Sequence, residues 1–139
     1  MDQYCYAVKP ETVSKFQDPD RPTPTELARF EVSGLNGRQD CELRYWRRHQ
    51  GLQDWFRQEW IHWGEGDPKE EFNRIAFRID LVVINRLARA VRSGVISGGL
   101  PVEFGHTAAK DLEFCQNARK SIRAGNTLYY YCDQQYRYR

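Results

Sequence analysis

Between Leu43 and Arg92 the apolar residues recur three and four positions apart in two long stretches, interrupted once, at Gly64-Glu65-Gly66-Asp67-Pro68. That spacing is the period of a helix with one oily face, and no other feature restricts the chain so much. In the first stretch, Leu43 to Trp63, the residues Tyr45, Trp46, His49, Leu52, Phe56, Trp60 and Trp63 share a face, with Arg44, Arg47, Arg48 and Asp54 on the other side. The interruption supplies a glycine to end one helix and Asp-Pro to begin the next.

The second stretch, Pro68 to Arg92, carries a wide apolar face built from Phe72, Ile75, Ala76, Ile79, Val82, Val83, Leu87 and Ala90. Glu70 and Glu71 at its start and Arg89 and Arg92 at its end suit the helix dipole. The pattern predicts a central helix covered on most sides, its polar strip reduced to Arg74, Arg78, Asn85, Arg89 and Arg92. A third helix is expected from Ala108 to Ala124, where Leu112, Cys115, Ala118 and Ile122 recur and Gly125-Asn126 follows.

Tyr4 to Lys9 and Thr127 to Cys132 are rich in strand formers, and the two can pair. Between Asp18 and Pro24 three prolines enforce an irregular segment, and Ser33 to Gly37 is a turn cluster. The fold class expected is mainly α (α+β): a three-helix core with a small antiparallel strand pair from the N- and C-terminal segments. The expected organisation is one domain over 1–139, with 1–40 as an arm holding the proline-rich loop, 41–132 as the helical core and 133–139 as a polar tail.

Composition restricts function. A chain of 139 residues with 40% hydrophobic and 29% charged residues is globular rather than disordered. A net charge of +2 disfavours a nonspecific nucleic-acid binder, although a local basic stripe remains compatible with it. The basic residues are mostly arginine, which suits bidentate and stacked contacts better than lysine does. Cys5, Cys41, Cys115 and Cys132 show no C-x-x-C spacing; four reduced thiols are the first reading, and one or two disulfides in a secreted protein the rival. No apolar run reaches the length of a membrane span, and no membrane partner is expected.

Tyr45-Trp46-Arg47-Arg48, followed by Leu52, Trp55 and Phe56, resembles the Y-W-R-K-x-x-x-I-x-x-W-F segment of a widespread family of small tailed-bacteriophage proteins. Leu100-Pro101, Phe104-Gly105, Asp111, Glu113 and Tyr129-Tyr130-Tyr131 stand where that family has a leucine-proline and phenylalanine-glycine loop, acidic residues and a tyrosine run. Val102-Glu103-Phe104-Gly105-His106 replaces a longer aromatic-glycine run, and residues 1–40 have no counterpart. The resemblance implies a phage or prophage origin, life in the cytoplasm of the bacterial host and an accessory role. It carries over no catalytic residue. By analogy with other small phage proteins, it suggests inhibition of a host defence complex.

The candidate partner-binding residues are Arg44, Arg48, Trp55, Arg74, Arg78, Arg89 and Arg92. On a continuous helix, Trp55 lies about 180° from Trp46, where a core role is hard to arrange. The strip from Arg74 to Arg92 is either a solvated face paired with nearby acids or a docking surface for phosphates or an acidic protein. The expected partner is a host bacterial protein or complex, with a nucleotide signal or nucleic acid as the alternative and the oligomeric state open. Glu59 and His62 have the E-x-x-H spacing of a di-iron half-site, but it occurs once, and no metal or other cofactor is expected. His49 reads as a hydrogen-bonded core residue. His106 near Asp111 and Glu113 is a weak acid/base candidate with no nucleophile motif beside it. No catalytic residue is therefore named, and the tyrosines of 129–131 are expected to alternate between buried and exposed.

Overall fold

The first and last strands decide the architecture. Asp2–Val8 (β1) and Thr127–Asp133 (β4) pair antiparallel along their whole length, from Asp2 opposite Asp133 to Val8 opposite Thr127. In the computed structural model, which describes residues 1–32, 41–64, 66–96 and 105–134, they are the two inner strands of a four-stranded sheet. Glu42–Arg47 (β2) adds antiparallel to β1, with a register shift between Cys5 and Tyr6, and Phe77–Ile79 (β3) adds antiparallel to β4, giving the order β2-β1-β4-β3.

The helices are Pro10–Val13 (α1), Pro24–Val32 (α2), Gln50–His62 (α3), Leu81–Arg92 (α4) and Ala108–Arg123 (α5). One sheet face, with Cys5, Trp46, Phe77, Ile79, Leu128, Tyr130 and Cys132, is covered by the apolar sides of α3, α4 and α5. The other face, with Tyr6, Val8, Tyr129 and Tyr131, is covered by Phe16 and Leu27 from the segment around α1 and α2. An inner strand covered on both faces has no reason to alternate in polarity. Accordingly Tyr129, Tyr130 and Tyr131 are all buried, where alternation was expected.

The three-helix core is thus corrected to an α+β fold in which helices pack on a sheet. Two expected helices were too long for the same reason. Glu42–Arg47 is a strand because its backbone groups pair with β1, and over six residues a period of 2 and a period of 3.6 both place Trp46 inward. Helix α3 begins only at Gln50, where the His49 ring caps it by accepting the Leu52 N–H at 3.3 Å. Histidine is not among the preferred N-caps, so the boundary was hard to see.

Pro68 to Asp80 is not helical either. Arg74 has φ 57°, and its N–H donates to the Cys132 carbonyl at 2.7 Å. Phe77 and Ile79 point into the core while Arg78 points out, the period of a strand. Helix α4 starts after Asp80, whose carboxylate accepts the Val83 N–H at 3.0 Å. Helix α5 matches its expected span within a residue, capped by Thr107 and closed by Gly125 at φ 98°. The expected strand pair is present as β1 and β4. The turn cluster at 33–37, Leu100-Pro101, Phe104 and residues 135–139 of the polar tail lie outside the described residues.

All four cysteines are unbridged. No helix among the described residues is long and apolar enough to cross a membrane.

The link after α3 has a tight fit. A Cβ built on Gly66 would stand 2.3 Å from the Trp60 ring, itself 1% exposed and wedged against Phe72. Gly66→Ala is expected to destabilise the fold by about 1–3 kcal/mol, read as a lower urea midpoint with the m-value unchanged.

Candidate functional site

Buried polar groups of β1, α3 and β4 form a connected hydrogen-bond network. The Gln3 amide is fully buried; its Nε2 donates to the His49 carbonyl at 3.0 Å and to the Tyr130 hydroxyl at 2.9 Å, and its Oε1 accepts the His49 N–H at 2.7 Å. Tyr130 in turn donates to Gln53 Oε1 at 2.5 Å, and Gln53 Nε2 donates to the Phe72 carbonyl at 2.8 Å. Burial pushes the Tyr130 hydroxyl well above its ordinary range, so it stays protonated as this donor role requires.

Beside this relay, His49 Nε2 lies 2.8 Å from Asp111 Oδ2, both side chains nearly inaccessible. Since Nδ1 accepts the Leu52 N–H, the ring proton belongs on Nε2, which donates to the carboxylate. A histidine–aspartate pair of this kind acts as a base only when the second nitrogen faces a nucleophile or substrate. Here that nitrogen is held by the start of α3. His106 stacks on His49 with ring centroids 4.5 Å apart and its Nε2 2.5 Å from the Arg47 carbonyl.

The thiols are equally quiet. Burial raises Cys115 to about 11 and Cys132 to about 12, and Cys5 higher still, so each stays a neutral thiol at neutral pH. Glu59 of the E-x-x-H pair is engaged by Arg86 through two hydrogen bonds, at 2.6 and 3.1 Å, while His62 lies exposed against Trp63. Among the described residues no group of three or more His, Cys, Asp or Glu gathers where a metal could be held.

Of the seven residues expected to bind a partner, the four meant to form one strip, Arg74, Arg78, Arg89 and Arg92, do not share a helix edge, because the helix meant to align them begins only at Leu81. Arg44 and Arg48 belong to β2 and its end, and the Arg44 guanidinium lies 5.8 Å above the Trp46 ring. The Arg44 Nε and the Trp46 indole N–H, both shielded from water, have no hydrogen-bond partner among the described residues. Arg74 and Arg78 lie on the tyrosine side of the sheet, where Arg78 pairs with Asp20 at 2.7 Å and Arg74 Nε donates to the Tyr131 hydroxyl at 3.4 Å.

Trp55 and Arg89 do come together, between α3 and α4, while Arg92 lies further round α4 on the side of Cys115 and α5. Trp55 is half-buried, edge-on to Phe56, and lines a shallow depression of about 310 Å³ with Arg86, Arg89, Ala90, Ser93 and Val95. Arg92 follows Arg89 by three positions on the same helix. Neither has an ion pair with an acid among the described residues. Val95 is 71% exposed, held out by the turn that ends α4, where Gly94 has φ 79° and the Val95 N–H donates to the Ala90 carbonyl.

A second concavity was not foreseen. On the opposite face of the sheet a cleft of about 320 Å³ lies between the tyrosine row, Tyr4, Tyr6 and Tyr131, and Pro24, Leu27 and Ala28 of α2, with Arg74 and Asp133 also lining it. The rows that form it are set by strand register, which a single strand's sequence does not reveal; the tyrosine run at 129–131 was the only hint.

Compared with known protein families, with curated proteins and with solved structures, the chain finds no match in any of the three.

Two outcomes are expected. Tyr130→Phe leaves the buried Gln53 Oε1 without its donor and should cost about 1–3 kcal/mol, measured by urea unfolding. Burial holds His106 below its ordinary value of 6.5, outweighing the bond to the Arg47 carbonyl. The unfolded chain therefore takes up a proton that the folded one resists, and the contribution is complete above that value and lost as pH falls through it. Melting temperature should drop between pH 7 and pH 5, by less in His106→Gln.

Proposed function

We propose that this protein is a non-catalytic accessory factor of phage or prophage origin, acting in the cytoplasm of the bacterial host. It binds an acidic surface of a host protein and inhibits a complex of anti-phage defence. The setting comes from the resemblance of the segment from Tyr45 to Phe56 to small tailed-phage proteins. The mode of action comes from the α3–α4 face.

That face carries the reading through one observation: Arg89 is exposed with no ion-pairing carboxylate among the described residues, beside a half-buried indole and an exposed valine, and Arg92, equally exposed and without such a carboxylate, follows it on the same helix. Arginine and tryptophan are the residue types that most often dominate interface energy, and two unneutralised guanidiniums favour a partner rich in Asp and Glu. Arg86 differs from them, because Glu59 already neutralises it. The buried histidines, carboxylates and thiols serve the fold, which agrees with binding rather than turnover.

The test uses phage plating on bacteria carrying single defence systems, with the protein supplied in trans, followed by affinity measurement against the component it captures. Restored plating on one system is expected, and Arg89→Glu with Arg92→Glu should weaken capture by about tenfold or more. Arg123→Glu, on exposed α5, should behave as wild type. Equal activity of the α4 and α5 variants would remove this surface from the account.

A further inference from the structure

The tyrosine-lined cleft on the other side of the sheet has the make-up of a small-molecule site. Its volume, about 320 Å³, lies at the lower end of the range for such sites and leaves room for one ring system with one charged group. Tyr4 and Tyr6 stand side by side with their planes 9° apart and centroids 5.6 Å apart, and Tyr45 extends the row beyond Tyr4 at 5.3 Å. Tyr4, backed by the buried Tyr6 and Tyr131, makes one wall of the cleft, and Pro24 and Ala28, backed by the buried Leu27, make the facing apolar wall. Flat apolar walls on two sides select a flat ligand.

The charge at the cleft is as specific. Arg74 is exposed, and its Nε donates to the Tyr131 hydroxyl at 3.4 Å. Its backbone takes a left-handed conformation, φ 57°, which a side chain other than glycine adopts rarely and at a cost. The N–H bond to the Cys132 carbonyl holds it there, so the sheet sets where this side chain leaves the backbone. Asp133 lines the same cleft. A carboxylate there leaves little net positive charge, which disfavours a polyanion and offers an acceptor for an amino group on the ligand's ring.

We infer that the cleft between the tyrosine row and α2 binds a nucleoside monophosphate, with the base against Tyr4 and facing Pro24 and Ala28, the phosphate on Arg74, and Asp133 facing polar groups of the base. A dinucleotide or a cyclic oligonucleotide exceeds the available volume. This site is separate from the α3–α4 face, which lies across the sheet, and either can exist without the other.

The experiment is calorimetric titration of the intact protein with AMP, GMP, CMP and UMP, with the corresponding nucleosides and inorganic phosphate as controls. It is combined with amide chemical-shift mapping on the wild-type chain. At least one monophosphate should bind saturably, one per chain, and shift the amides of Thr25, Ala28, Arg74 and Asp133. The nucleoside and free phosphate should each bind about tenfold or more weakly, because each lacks half of the contacts. Arg74→Asn, which tolerates the left-handed backbone, should weaken the monophosphate by about tenfold or more while leaving the ligand-free melting temperature within a few degrees. Arg89→Glu should bind it as wild type does. No saturation by any of the four at millimolar concentration overturns the inference. So do shifted amides confined to other parts of the wild-type molecule, or undiminished binding by a folded Arg74→Asn protein.

Discussion

The rest of the structure depends on a fully buried amide, that of Gln3. It joins the backbone of His49, at the start of α3, to the hydroxyl of Tyr130 in β4, and Tyr130 passes the connection through Gln53 to the carbonyl of Phe72. Each polar atom in that path would be costly to bury alone, and together they leave little unsatisfied. Apolar packing of α3 on the sheet tolerates sliding, whereas this path accepts one position. By fixing α3 it also fixes where Trp55 lies against α4, so the outer face inherits its geometry from the interior.

The His49–Asp111 pair does for α5 what Gln3 does for α3. It ties the first turn of α5 to the residue that caps α3, and Asp111 gains from the positive end of its own helix. A histidine, an aspartate and a second histidine near one another in space would suggest chemistry if only the residue types were considered. The distribution of their hydrogen bonds argues otherwise, since the ring nitrogens of His49 are both in use within the fold.

Sequence patterns made α5 legible because its signals are local: Thr107 at the cap, recurring apolar positions, and Gly125 at the end. They made the β1–β4 pairing legible from composition. They failed over Glu42–Arg47 and Phe77–Ile79, where short apolar runs fit either period and only a partner strand decides. Asp80 before Leu81-Val82-Val83-Ile84 was a readable cap, but the longer pattern from Pro68 hid it. The candidate arginines were chosen by helical geometry, so those before Asp80 were placed on the wrong element, while Arg89 and Arg92 kept their relation. The cleft beside Arg74 depends on Tyr4 standing opposite Tyr131, a cross-strand fact with no trace in either segment alone.

The inner position of β1 has a consequence for how the polypeptide assembles. Gln3 and Tyr130, which must meet before the central relay closes, are 127 positions apart. A ribosome releases β1 early, and it then waits for almost all the intervening chain before its main neighbour arrives. Until then Asp2–Val8 carries an unsatisfied edge that α-helical segments made in the meantime cannot complete. Closure of the sheet is therefore a late, cooperative event, and nascent chains stopped short of Thr127 would present the β4-side edge of β1 to chaperones and proteases.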